Sequence, residues 1–452
     1  MMDFTEGDVL KQIIYFTVPV LLANLLQALY NIIDGIWVGR LIGHEAFASV
    51  SSVAPLIFFL LSSIMGITIS TNILVGQAYG SKNKLFLSKV LSNSFMTNVI
   101  LCIIISIFGI IFSNPLLDLL NTPPEIKQQS HIFFVIIISG LIFTFIYNWF
   151  SSILRGLGDS RTPFYLLIVS TILNIIFVPI LILGLGPIPK LGVAGAGLGT
   201  VLSNAVMIIV SYYYCIKSHP LLNLREWDFT FDIEIVKKIF TIGIPASFQM
   251  AVVSLSGIFM MSLVNTFGAK LTAAYGIGIQ LDQLTFMPAM AIGMSVTSMV
   301  AQNLGANQYN RVKEIVKYSV RITILFSILF FIIIYGFPKI VSSIFTTEPE
   351  VIGHTLKYIR IVSFTYFLFP IMFVLQGIVR GAGDTMTMLL FSLISLILFR
   401  YPTAYILSKY TLLQECGIWV GILLSSFVGV TLNYLYYISG KWQKSIIKQF
   451  AD

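Results

Sequence analysis

The chain has 452 residues, of which 57% are hydrophobic and 10% are charged, and its formal net charge is +8. Such a composition is more apolar than that of a typical soluble domain, and apolar runs long enough to cross a bilayer recur from end to end. No basic run interleaved with aromatic residues lies outside the apolar segments, so the charge does not indicate a nucleic-acid partner. The sequence predicts an all-α polytopic membrane protein.

The apolar runs predict about twelve transmembrane spans of roughly 20 or more residues each. In chain order they lie near residues 12–38, 47–77, 89–113, 130–154, 163–184, 193–216, 238–265, 271–303, 314–336, 352–379, 386–408 and 416–440. With six spans in each half, both halves enter the membrane in the same direction. A parallel repeat with its pseudo-two-fold axis along the membrane normal is therefore expected.

Two short strings recur with one common offset, which indicates internal duplication. The string Arg155-Gly156-Leu157-Gly158-Asp159 returns as Arg380-Gly381-Ala382-Gly383-Asp384, a shift of 225 residues. Gln77-Ala78-Tyr79-Gly80 returns with the same shift as Gln302-Asn303-Leu304-Gly305. A long polar connection separates the two copies, so we expect an N-terminal lobe at 1–217, a linker at 218–236 and a C-terminal lobe at 237–452. Duplicated apolar chains are typical of transporters.

Lysine and arginine residues are distributed unevenly between the two sets of loops. One set contains most of them, for example Lys82, Lys84, Arg155, Lys237 and Arg311, whereas the other set contains only Arg40, Lys127, Lys190, Lys270, Lys339 and Lys409. By the positive-inside rule, both termini are expected in the cytoplasm and the protein in the plasma membrane. Four tryptophans near span ends are expected to be interfacial anchors: Trp37, Trp149, Trp419 and Trp442.

Five charged residues remain inside the predicted spans: Asp34, Asp282, Lys357, Arg360 and Arg400. A charge at a helix centre costs about 2.5–3.5 kcal/mol on insertion scales. Such residues are therefore expected to face a partner or a water-filled cavity, and each is a candidate for function.

Asp34 is the strongest of these candidates because it ends a polar stripe on one helix face. Asn24, Gln27, Asn31 and Asp34 follow one another at spacings of three, four and three residues. One interpretation is that the amides bond to neighbouring helices and that Asp34 is solvated near the outer surface. The functional interpretation is favoured, because intramembrane acids commonly relay protons or cations.

Asp282 and its neighbour Gln283 lie in the eighth span, at a predicted depth close to that of three cationic residues. Lys357 and Arg360 lie one helical turn apart at the start of the tenth span, and Arg400 lies at similar depth on the eleventh. A buried ion-pair cluster of Asp282, Arg360 and Arg400 that holds the C-terminal helices together is the expectation. A role in the substrate path stays open, as does snorkelling of Lys357 to the interface.

The chain shows no signature of an enzyme. The Gly-x-Gly-Asp strings also occur in intramembrane aspartyl proteases, but here both copies fall at helix junctions, where two glycines permit a tight turn. An acid or a hydroxyl can then cap the next helix, and Thr162 and Pro163 suit its N-cap and N1 positions. No Walker A string, metal-ligand cluster or nucleophile elbow occurs. Three cysteines, Cys102, Cys215 and Cys416, have unrelated spacings that fit neither disulfides nor a metal site. No catalytic residue, metal or organic cofactor is expected.

Several stretches together resemble the multidrug and toxic compound extrusion (MATE) family, and most closely its DNA-damage-inducible (DinF)-like prokaryotic branch. The matching stretches are 30–40 (YNIIDGIWVGR), 76–80 (GQAYG), 300–306 (VAQNLGA) and both Arg-Gly-x-Gly-Asp copies. They occur in both halves, so the resemblance covers essentially the whole chain.

The resemblance implies a twelve-helix monomeric antiporter that expels bulky, often cationic amphiphiles in exchange for H⁺ or Na⁺ by alternating access. Asp34 matches the family's coupling aspartate, and Asn174 matches an asparagine of the fifth helix. Where many relatives have an aspartate before the fifth-helix proline, this chain has Val178-Pro179. Loss of that carboxylate favours protons over sodium. A lipid-linked saccharide flippase of the same superfamily is the alternative, with Arg360 and Arg400 facing a pyrophosphate.

Overall fold

The computed structural model describes residues 1–186, 189–218, 227 and 229–446, and every regular element in this part of the chain is a helix. Of the predicted linker at 218–236, residues 219–226 and 228 lie outside the described residues, and the lobe boundaries at 217 and 237 remain predictions. The first half contains α1 (Val9–Leu41), α2 (His44–Gly80), α3 (Lys84–Ile111), α4 (Ser113–Leu119), α5 (Pro124–Ser139), α6 (Leu141–Gly156), α7 (Arg161–Leu183) and α8 (Val193–Ser218).

The second half repeats this order with one irregular helix. It contains α9 (Ile233–Asn265), α10 (Ala269–Gly305), α11 (Tyr309–Gly336), α12 (Pro338–Ser343), α13 (Pro349–Val362), α14 (Thr365–Gly381), α15 (Thr385–Ser392), a π-helical segment (Leu393–Arg400), α16 (Tyr401–Tyr410) and α17 (Glu415–Ile438). The predicted eleventh span is thus α15, the π-helical segment and α16 in succession.

The described residues form ten helical segments long and apolar enough to cross a membrane, and two bent helix pairs bring the number to twelve if each pair is one span. The bent pairs are α5 with α6, at 45°, and α13 with α14, at 51°. They correspond to the predicted fourth and tenth spans. The first bend lies at Gly140, where a Cβ would approach Val201 Cγ2 to 2.2 Å, so only glycine permits this approach of α8.

The duplicated glycine strings form the turns that the sequence predicts. Gly158 and Gly383 have φ of 85° and 79°, in the left-handed region that favours glycine. Asp159 Oδ1 accepts a hydrogen bond from Thr162 N at 3.0 Å, and Asp384 Oδ1 accepts one from Thr387 N at 3.2 Å. Each acid therefore caps the helix that follows it, which confirms the prediction of a turn followed by a capping acid. The placement of Thr162 at the N-cap and Pro163 at N1 is wrong, because α7 already begins at Arg161.

The chain packs as two units whose limits fall inside helices. One unit comprises Met1–Met2 and Leu22–Ser247, and the other comprises Asp3–Leu21 and Phe248–Asp452. α1 is therefore divided after Leu21, and α9 after Ser247. We call these the first unit and the second unit.

Aromatic side chains fill much of the core of the second unit. The rings of Tyr275 and Trp419 stack at 5.5 Å, and the ring of Tyr358 lies edge-on to Trp419 at 4.9 Å.

Trp419 is fully buried, and Trp149 and Trp442 are 1% exposed. The prediction that these three tryptophans are interfacial anchors is therefore wrong, because side chains enclosed by protein do not reach a lipid headgroup region.

Candidate functional site

The polar site of the first unit is built around the amide of Asn174 on α7. Its Nδ2 lies 2.9 Å from Tyr30 Oη, 3.3 Å from Thr200 Oγ1 and 3.4 Å from Asp34 Oδ1. Asn174 is 1% exposed and Tyr30 is 9% exposed, so α1, α7 and α8 enclose the amide. An amide nitrogen has two hydrogens, so Asn174 satisfies at most two of these three acceptors at once.

Asp34 is the least satisfied member of this site. Among the described residues its carboxylate accepts one hydrogen bond, from Asn174, and the distance of 3.4 Å is at the long end of the usual range. An ionised carboxylate has about four acceptor positions. Asp34 is half-buried, so its carboxylate has unused acceptor positions and is not fully enclosed by protein.

The remainder of the predicted polar stripe lies outside this network. Gln27 and Asn31 are exposed, and the contact from Gln27 Nε2 to Asn31 Oδ1 is 3.5 Å. Asn24 is half-buried and makes no hydrogen bond among the described residues. Of the residues predicted for this site, the structure thus brings together Asp34 and Asn174.

Two members of the site were not predicted, namely Tyr30 and Thr200. Tyr30 lies one helical turn before Asp34, so its spacing already placed both on one face of α1. Thr200 follows a segment rich in glycine and alanine at the start of α8, and such small residues signal close helix packing. A Cβ at Gly199 would lie 2.7 Å from Val178 Cγ2, so α8 contacts α7 closely here.

Val178, which stands where the family resemblance implies a second carboxylate, is part of the apolar core. Val178 is fully buried and packs in one cluster with Ile182, Val193 and Ala196. Its side chain offers no ligand to a cation. Within the described residues, no group of three or more His, Cys, Asp or Glu side chains is arranged to hold a metal ion.

The polar site of the second unit is centred on Asp282 of α10. Its carboxylate accepts hydrogen bonds from Tyr358 Oη at 2.6 Å and from Tyr366 Oη at 3.0 Å. Both tyrosines are almost fully buried. Arg400, at the end of the π-helical segment, donates from Nε to Ser425 Oγ at 2.9 Å.

The structure does not bring the other predicted members of this cluster to Asp282. Gln283 and Arg360 are exposed, and Lys357 pairs with Glu415, with 2.6 Å between Nζ and Oε1. The reason is helical geometry. The buried positions of α13 recur at helical spacing, at Val351, Thr355, Tyr358, Ile359 and Val362, so the inward face presents Tyr358 and the outward face presents Lys357 and Arg360. That periodicity, visible in the sequence, was the signal for Tyr358.

The fold and the sequence both match known transporters. A protein of Bacillus subtilis (strain 168) named "Probable multidrug resistance protein YoeA" is 35% identical over 455 residues, covering 99% of this chain and 97% of that protein. A protein of Shewanella oneidensis named "FAD transporter" is 26% identical over 375 residues, 83% of each chain. The crystal structure of a MATE protein in its bent conformation superposes with a TM-score of 0.89 at 24% identity, covering 99% of this chain and 98% of that chain.

The family model MatE matches the chain twice, at residues 19–180 and 245–406. The two matches begin at Pro19 and Pro245, near the start of each half, so the parallel repeat predicted from the sequence is confirmed. The members of this family are transporters rather than enzymes, which confirms the expectation that the chain is not an enzyme. The chain belongs to the MatE family of multi-pass membrane transporters.

Proposed function

We propose that the protein is a proton-coupled antiporter that expels bulky amphiphilic, often cationic compounds by alternating access. The observation that carries this proposal is the state of Asp34, a half-buried carboxylate in a membrane-spanning helix with a single long hydrogen bond. A structural acid would be satisfied by several donors or by a cation. Among the described residues, Asp34 has a single donor, Asn174, and forms no ion pair.

In the proposed cycle, Asp34 exchanges a proton for a cationic substrate. Ionised Asp34 attracts the cation, because the surrounding helices provide little competing solvation. Protonation removes that attraction, and the Asn174 amide then satisfies Tyr30 and Thr200 instead of Asp34. Each pH unit of gradient supplies about 1.4 kcal/mol, and 100 mV supplies about 2.3 kcal/mol per net charge moved. Either is enough to shift a two-state equilibrium of access.

Protons are proposed rather than sodium because of Val178. A sodium site gains from several oxygen ligands, and the side chain of Val178 supplies none where a second carboxylate would stand. Asp34 is then the one acid of the site. Binding of a single proton needs only that carboxylate.

The orientation and location are proposed from the loop charges. The lysine- and arginine-rich set of loops is cytoplasmic, so both termini face the cytoplasm of a cell whose plasma membrane contains the protein. The same set includes Arg225 and Lys448, which lie outside the described residues. That the protein acts as a monomer is proposed from the family resemblance alone.

The test is transport in proteoliposomes with the pH gradient and the Na⁺ gradient imposed separately. A proton gradient alone should drive uptake of a cationic dye against its concentration, and a Na⁺ gradient at constant pH should not. Sodium-driven accumulation at constant pH would overturn the choice of ion. FAD belongs in the panel of cargoes, because one relative carries the name FAD transporter.

The flippase alternative required two cations acting together on a pyrophosphate. Arg360 is exposed on α13, whereas Arg400 lies beside Ser425, and no contact in the described residues joins them. The observation that would have favoured this alternative is therefore missing. Drug accumulation in cells that express the protein distinguishes the two functions, since a flippase would leave accumulation unchanged.

A further inference from the structure

Arg400 is a charged residue in a membrane-spanning segment that the proposed proton cycle does not use. It makes one hydrogen bond among the described residues, from Nε to Ser425, and its Nη2 is buried without an acceptor. A guanidinium has five N–H donors. Since a buried cation without partners is costly, the unused donors of Arg400 require an explanation.

Asp282 does not serve as a direct partner of Arg400. A structural pair of arginine and carboxylate usually forms two parallel hydrogen bonds. Here the carboxylate is occupied by the hydroxyls of Tyr358 and Tyr366, and no ion pair in the described residues joins it to Arg400. The two charges still interact through space, together with the nearby Tyr275 and Tyr358. Asp282 thus offsets the charge of Arg400 without using its donors.

Of the guanidinium nitrogens of Arg400, Nε donates to Ser425 and Nη2 is buried without an acceptor, which leaves Nη1 as the nitrogen from which a ligand would approach. The guanidinium carbon lies 5.7 Å from the ring centre of Phe369, which therefore stands against one face of the planar group. Arg400 is half-buried and ends the π-helical segment Leu393–Arg400, a backbone distortion of a kind that is frequent at functional sites. Planar, bidentate recognition by arginine suits a carboxylate.

We propose that Arg400 binds the carboxylate group of an exported compound, so that the second unit contains a site for zwitterionic or anionic amphiphiles. Asp282 is the competing negative charge at this site, and its neutralisation strengthens binding of the carboxylate. The inference rests on the proposed function as an exporter, and it assigns a residue of the second unit to the recognition of compounds that carry a carboxylate.

The test compares two dyes that differ in one charge, a rhodamine free acid and its methyl ester. The full chain is purified in a non-ionic detergent and a phosphate-free buffer, and the affinity of each dye is measured by fluorescence polarisation. Arg400→Gln should weaken binding of the free acid by about tenfold, the equivalent of one charge-assisted hydrogen bond. Binding of the ester should be unchanged. Arg360→Gln, which removes an exposed cation of the same unit, is the matched control and should alter neither affinity.

A second variant reverses the sign of the expected effect. Asp282→Asn keeps one oxygen that accepts from a tyrosine hydroxyl, presents an amide NH₂ to the other hydroxyl, and removes the competing charge. The free acid should therefore bind more tightly, while binding of the ester should not change. The proposal would be overturned if Arg400→Gln weakened the binding of both dyes equally, or if Asp282→Asn weakened the binding of the free acid. Arg400→Lys keeps the charge and should retain part of the preference if the glutamine variant does not fold.

The binding assay uses no gradient, so it separates this inference from the proposed function. If neither dye is transported by proteoliposomes but the free-acid preference depends on Arg400, the proposed function fails and this site stands. If proton-driven transport is found and Arg400→Gln affects both dyes equally, the proposed function stands and this site fails.

Discussion

Asp34 in the first unit and Asp282 in the second are both carboxylates within membrane-spanning helices, yet their surroundings differ. Asp34 accepts one long hydrogen bond from an amide, whereas Asp282 accepts two from tyrosine hydroxyls and has a guanidinium nearby. The repeat does not relate them, since a shift of 225 residues carries Asp34 to Phe259 and Asp282 to Ile57. The two halves thus share the helical framework but not the acids inside the membrane-spanning helices.

The acids of the glycine strings show the opposite behaviour. Asp159 and Asp384 are related by the repeat, and each caps the helix that follows it. A helix start imposes the same backbone requirement in both halves, so the acid recurs. A charge used for binding is required only where its ligand lies, which explains why the intramembrane acids differ.

The largest expected effect is that of Asp34→Asn, which should abolish proton-driven efflux. The amide keeps the shape of the side chain and loses the titrating charge, so the variant should fold normally. The measurement is dye accumulation in proteoliposomes, alongside the melting temperature in detergent. Glu125→Gln, an exposed acid in the first turn of α5, is the control and should transport like the wild type. Wild-type rates in well-folded Asp34→Asn would remove this residue from the mechanism.

The second prediction concerns the contribution of Asp282 to the stability of the fold. Tyr358→Phe removes one of its two donors, and we expect a loss of about 1–3 kcal/mol in unfolding free energy. A double-mutant cycle with Asp282→Asn should show coupling of about 0.5–3 kcal/mol. The cycle of Asp282→Asn with Arg360→Gln, suggested by the sequence alone, should now be additive because Arg360 is exposed. Strong coupling to Arg360 would contradict the geometry of α13.

The third prediction tests the shared amide of the first unit. Asn174→Leu keeps the approximate volume and removes the donor to Asp34, and we expect the transport rate to fall by about tenfold while coupling to protons persists. Initial rates at several imposed pH gradients provide the measurement. Asn31→Ala, an exposed member of the polar stripe on α1, should change the rate little. A greater loss in Asn31→Ala than in Asn174→Leu would restore the stripe as the functional element.

The smallest effects are expected from the duplicated caps. Asp159→Ala should lower the unfolding free energy by about 1 kcal/mol, the usual value of a lost helix cap. Asp384→Ala should cost somewhat more, because Asp384 Oδ2 also accepts a hydrogen bond from Tyr436 Oη at 2.8 Å. Neither should alter proton coupling, because both acids contact backbone groups at helix starts. Thermal unfolding in detergent and proteoliposome transport, measured on the same preparations, check this. Lost coupling in either variant would show that a repeat-related acid is also part of the transport chemistry.

The sequence predicted the framework well and the sites only in part. Twelve spans, the parallel repeat and the turns at Gly158 and Gly383 could be predicted because each depends on local composition or on recurrence within the chain. Asp34 could be predicted because a charge in an apolar run stands out by its cost. The bend at Gly140 could not, since it depends on the approach of Val201 from a distant helix.

What the sequence by itself determined is the set of helices, their duplication and the presence of charges inside them, because hydrophobicity and turn chemistry act over a few residues. The tertiary structure alone decided which groups meet those charges. Tyr30 and Thr200 reach the Asn174 amide, and Tyr358 and Tyr366 reach Asp282, because the rotation of each helix about its axis turns these residues inward. The same rotation turned Arg360 outward and left Arg400 inside with unused donors. Packing against helices far along the chain determines that rotation, and no local pattern encodes it fully.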